Sequence, residues 1–67
     1  MNRINYAALG RIVHTSVSDG LTSARHETTA TIKAAIQSEQ DKANPRSALI
    51  TGLQRELRRR GKSKAKS

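Results

Sequence analysis

Asn44-Pro45-Arg46-Ser47-Ala48-Leu49-Ile50-Thr51-Gly52-Leu53-Gln54-Arg55-Glu56-Leu57-Arg58-Arg59-Arg60-Gly61 is the stretch whose reading decides the fold. At 100° per residue, Leu49, Ile50, Leu53 and Leu57 gather within roughly 100° of a helical wheel, and Arg55, Arg58 and Arg59 occupy a similar arc opposite. One face is built to pack and the other to meet water or an anion. Proline cannot continue an incoming helix, yet its fixed φ suits the first position of a new one, for which Asn44 is a preferred N-cap. A helix is therefore predicted over residues 45–60, with Gly61 as its C-terminal stop. Gly52 costs about 1 kcal/mol relative to Ala inside a helix. It either permits a close helix approach or is merely tolerated.

Working toward the N-terminus, Tyr6, Leu9, Ile12, Val13 and Val17 recur at three- and four-residue spacing, which predicts a helix over about residues 5–18 with Tyr6 in the core. The rival is a hairpin, because residues 12–17 are rich in β-branched side chains and Asp19-Gly20 is a good two-residue turn. Asp19-Gly20 separates this element from a second helix over about residues 21–43, striped by Leu21, Ala24, Thr28, Ile32, Ala35 and Ile36. Thr28, Thr29 and Thr31 are poor helix formers, so the alternative is a helix that begins only near Thr31, with residues 20–30 extended or mobile. The fold class is all-α: two to three short amphipathic helices, a hairpin or a small three-helix unit. They form a single domain over residues 1–61 with breaks near 19–20 and 44–45, followed by a disordered basic tail over 62–67.

The core of such a unit is thin. Leu, Ile and Val total twelve in 67 residues, Tyr6 is the only aromatic, and there is no Cys to staple the chain or supply the usual structural zinc ligands. Self-association or folding on a partner is the expected compensation. No apolar run approaches the roughly 20 residues of a membrane span, and no secretory signal opens the chain, so a cytoplasmic address is expected.

Charge points to the partner. Residues 1–54 carry six basic and four acidic groups, whereas residues 55–67 carry seven against one, Glu56. Such a polycationic end calls for an anionic partner, and a helix bearing arginines followed by a lysine arm matches the footprint of DNA- or RNA-binding proteins. The expected function is phosphate-directed nucleic-acid binding with little sequence preference, through Arg55, Arg58, Arg59, Arg60, Lys62, Lys64 and Lys66. Arg46 and Ser47, at the start of the helix, are candidates for more specific contacts. A blander origin for Arg58, Arg59 and Arg60 is the helix dipole, with Glu56 pairing to Arg59 or Arg60. Tyr6, the sole candidate for base stacking, is remote in sequence from these cations.

Residues 44–57 also resemble the second helix of ribbon-helix-helix DNA-binding proteins. That resemblance implies a preceding strand alternating polar and apolar residues, for which residues 22–29 supply almost no apolar partner. The alternative function is a protein-interaction module that docks the Leu49, Ile50, Leu53, Leu57 stripe on a protein partner. Binding to a membrane surface is disfavoured by the absence of interfacial Trp or Phe. His14 and His26 stand alone, no nucleophile elbow is present, and Gly10, Gly20, Gly52 and Gly61 make no phosphate-cradling loop. No enzyme, metal site or cofactor is expected.

Overall fold

Three short polar side chains set where helices begin. The computed structural model describes the backbone over residues 3–65 and side chains as far as Gly61. In it Asn5 accepts the Ala8 N–H, Ser16 the Asp19 N–H and Thr28 the Thr31 N–H. Each bond satisfies an amide that a helix start leaves without a partner, and such a cap is worth about 1 kcal/mol. These caps open α1 (Tyr6–Val13), α2 (Val17–Ala24) and α3 (Thr29–Gln40), and α4 (Ser47–Ala65) follows Pro45. The protein is all-helical as predicted, with four helices and no strand among the described residues.

The division of the N-terminal half differs from the expectation. Ser16 ends the first predicted helix early, and Thr28 splits the second. Asp19-Gly20 is no turn, because both residues lie within α2. Asp19 sits in the first turn of α2, where a carboxylate meets the positive end of the helix dipole. The hairpin reading fails with the turn, and so does the strand implied by the ribbon-helix-helix resemblance. Residues 20–30 are mostly helical rather than extended, since α2 reaches Ala24 and α3 begins at Thr29.

Pro45 does mark a break, between α3 and α4. The Arg46 carbonyl accepts the Ile50 N–H at 3.1 Å, so Arg46, and not Asn44, occupies the N-cap position. Gly61 does not stop α4, which runs on to Ala65. The side chains of Lys62, Lys64 and Lys66, and most of what was expected of the tail, lie outside the described residues.

In the bundle α1 packs on α2 and α3, and α4 packs on the same two helices from the other side. The core is Ile12, Val13, Ala24, Ile32, Ala35, Leu49 and Leu53, flanked by Leu9, Val17, Leu21, Ile36 and Leu57. Two glycines let the backbones approach. A Cβ on Gly20 would lie 2.6 Å from the Ile12 carbonyl oxygen, and one on Gly52 would lie 2.5 Å from Leu21 Cδ2. Gly52 is therefore the seat for Leu21 in the α2–α4 contact. Tyr6 is not core, being 74% exposed. As the first residue of α1 it has no preceding turn to cover, and a helical side chain leans toward the N-terminus, off the end of the bundle.

One buried ionic cluster closes the opposite end. Glu39 on α3 has no accessible surface. Its Oε2 accepts the Arg46 backbone N–H at 3.0 Å and Arg46 Nε at 3.1 Å, while Oε1 accepts Arg46 Nη2 at 3.2 Å and lies 3.0 Å from Lys42 Nζ. The Arg46 guanidinium holds the carboxyl down to about 2, outweighing burial, with the Arg46 N–H and Lys42 adding to the effect. Arg46 Nη2 also donates to the Val13 carbonyl at 3.0 Å, Nη1 donates to Thr15, and Lys42 donates to Val13. Cations thus satisfy carbonyls at the C-terminal end of α1, where the helix dipole is negative.

Candidate nucleic-acid interface

The arginines of α4 divide by the direction in which the helix aims them. Arg55, Arg58 and Arg59 are exposed on the outer face, as their wheel positions require. Arg60 turns inward. Its Nη2 donates to the Ala24 and Arg25 carbonyls at 3.3 and 3.2 Å, and its Nη1 donates to Thr29 Oγ1 at 3.4 Å. Arg60 thereby caps the C-terminal end of α2, as Arg46 does for α1.

Glu56 stands between the two groups. It accepts Arg59 Nη2 at 2.8 Å and Arg60 Nε at 2.9 Å, so both pairings anticipated from the sequence are present. The Arg59 guanidinium, reinforced by Arg60, holds the Glu56 carboxyl below its ordinary range against the opposing effect of burial. The Arg59 side chain remains 70% exposed, so its pairing is weak and screened, and an incoming anion can compete for it.

An open groove of about 510 Å³ runs between α2 and α4, lined by Leu21, Ala24, Arg25, Gly52, Arg55, Glu56 and Arg59. Leu21, Ala24 and Gly52 supply its apolar lining, and Arg25 at the C-cap of α2 stands along it with Arg55 and Arg59 of α4. Arg25 was missed by the sequence reading. It lies thirty residues from Arg55, and the packing of α2 on α4, with Leu21 seated on Gly52 and Arg60 gripping the end of α2, brings the two together.

The other expected residues fall into two sets. Arg46 is engaged with Glu39 and the end of α1, where it holds the start of α4 in place. Ser47 is exposed beside it. Leu49 and Leu53 are completely buried, and Ile50 and Leu57 are partly buried. Leu49, Leu53 and Leu57 are taken up by the chain's own core. No helix among the described residues is long and apolar enough to cross a membrane. No known protein family, curated protein or solved structure matches this chain.

Proposed function

We propose that the protein binds nucleic acid through backbone phosphates, with little sequence preference, using the outer face of α4. The observation that carries this reading is the convergence of Arg55 and Arg59 with Arg25 along one open groove. Arg58 extends the same positive surface, and Lys62, Lys64 and Lys66 follow in sequence. Guanidiniums on a fixed helix meet phosphate oxygens bidentately, and such contacts carry no base information by themselves. Docking of the leucine stripe on a protein partner is less favoured, because exposing Leu49 and Leu53 would open the core.

The test is a salt titration of binding to a labelled duplex and a labelled single strand. Each duplex phosphate neutralised contributes about 0.9 to the slope of log affinity against log salt, so replacing Arg55, Arg58 and Arg59 by Gln should lower that slope by up to about 2.7. Helix content should hold, since none of the three is in the core. An intact protein that binds neither probe at low salt, or a triple variant with unchanged slope, refutes the assignment.

A further inference from the structure

The largest side chain of this thinly packed protein is left in water. Tyr6 is the only aromatic residue in the chain, and it is 74% exposed, with Ile4 beside it 39% exposed. A bundle short of buried surface forgoes a large contribution by leaving it there. The location is informative. Thr28 Oγ1 donates to the Arg3 carbonyl at 2.7 Å, and the Asn5 N–H donates to Thr31 Oγ1 at 3.0 Å, which ties the segment before Tyr6 to the first turn of α3. In that same turn Thr29 accepts from Arg60, which also grips the end of α2 at Ala24 and Arg25. The start of α1, the start of α3, the end of α2 and the Arg60 turn of α4 therefore meet at one end of the bundle, from which the groove holding Arg25, Arg59 and Arg55 leads away. Tyr6 is remote from the cations in sequence but shares their end of the fold.

Resting on the phosphate-binding reading above, we propose that this end of the bundle takes single-stranded nucleic acid, with Tyr6 stacking on an unpaired base while Arg25, Arg55 and Arg59 hold phosphates of the same strand. An aromatic face is useful only to a base whose own face is uncovered, which a duplex does not offer away from its ends. Stacking tolerates any base, so the combination keeps sequence preference low while distinguishing single from double strands. A single exposed tyrosine at the end of the bundle where the arginine groove opens is a minimal platform for this purpose.

The chain supplies its own probe, because with no Trp and one Tyr all intrinsic fluorescence reports on Tyr6. The intact protein is titrated at low salt with unlabelled oligothymidylate, oligouridylate and a duplex carrying the same number of phosphates. The expected result is quenching of Tyr6 by either single strand and much less by the duplex. By anisotropy with labelled strands, Tyr6→Ala should weaken single-strand binding about tenfold and leave duplex binding within about twofold, whereas Tyr6→Phe keeps both. Circular dichroism of the two variants should match the parent, since Tyr6 has no core role. If single strands bind without quenching, or Tyr6→Ala binds them as the parent does, the stacking role is overturned and phosphate binding stands. Failure of the parent to bind any probe overturns the phosphate reading itself.

Discussion

Replacing Glu39 by Gln tests whether the buried cluster holds the bundle together. The substitution keeps shape and removes one charge, leaving Lys42 and Arg46 beside the α1 carbonyls without their anion. A carboxyl moved from its ordinary 4.5 to about 2 by the fold corresponds to about 3 kcal/mol of stability at neutral pH. Glu39 has no accessible surface, yet in a chain this small water is one layer away, so about 2–3 kcal/mol is the reasonable range. A chain of this length has only about 3–10 kcal/mol in total, and the loss should lower the melting temperature by about 10–20 °C. The sign with pH follows from the lowered value. The contribution is complete above about 4.5 and disappears as pH falls through the folded-state value of about 2. Urea melts followed by circular dichroism at pH 7, 5, 3.5 and 2 measure it. The parent should exceed the variant most at pH 7, and the gap should close toward pH 2. Equal stabilities at pH 7, or a gap that does not shrink in acid, would refute the reasoning.

The two packed glycines should respond differently to Ala. At Gly20 the added methyl meets the Ile12 backbone carbonyl at 2.6 Å, which cannot yield without moving α1, so melts should show a loss of about 1–3 kcal/mol. At Gly52 it meets both methyls and Cγ of Leu21 at 2.5, 2.8 and 3.2 Å, a half-buried side chain that must leave its seat, and the helix-propensity gain of about 1 kcal/mol offsets part of that cost. Gly52→Ala should therefore cost less than Gly20→Ala, and an equal loss at both sites would show the α2–α4 contact to be as unyielding as the α1–α2 contact. Among the arginines, Arg60→Ala should cost about 1–2 kcal/mol because it uncaps the Ala24 and Arg25 carbonyls. Arg59→Ala, at an exposed pair, should cost under about 1 kcal/mol yet weaken nucleic-acid binding. Melting and binding measured on both variants check the separation of roles; a larger stability loss for Arg59→Ala would reverse it.

Helix content was legible because apolar spacing survives any error in boundaries. Leu49, Leu53 and Leu57 had one plausible period, and they supply one wall of the core. The misplaced breaks share a physical cause. Asp-Gly is compatible with both a hairpin turn and a first helical turn, and Gly20 was needed for its missing Cβ rather than for a turn. The signals that did set the boundaries, Ser16 and Thr28, were in plain view as N-cap residues ahead of apolar runs. Threonine has poor propensity inside helices, whereas Thr28 acts at a position where that same side-chain competition for backbone amides is stabilising.

The division of the arginines is written in their wheel positions. On the same wheel that separates Arg55, Arg58 and Arg59 from the leucines, Arg60 falls inside the leucine sector, so a helix through residue 60 must turn it toward the bundle. Arg46 extrapolates to that sector from the other end, and Glu39 lies at the centre of the Ile32, Ala35 and Ile36 stripe. A charge in an apolar sector must find a partner or the helix cannot pack. Glu39 finds Arg46 and Lys42, and Arg60 finds Glu56 and the carbonyls of α2. Two of the candidate nucleic-acid contacts are therefore better understood as the means by which short helices with little to bury are clamped at their ends. What no spacing rule could supply is the meeting of Arg25 with Arg55 and Arg59. That depends on Leu21 of α2 seating on Gly52 of α4 while Arg60 grips the end of α2, and it is the three-dimensional step that turns a run of positive charge into a surface with a shape.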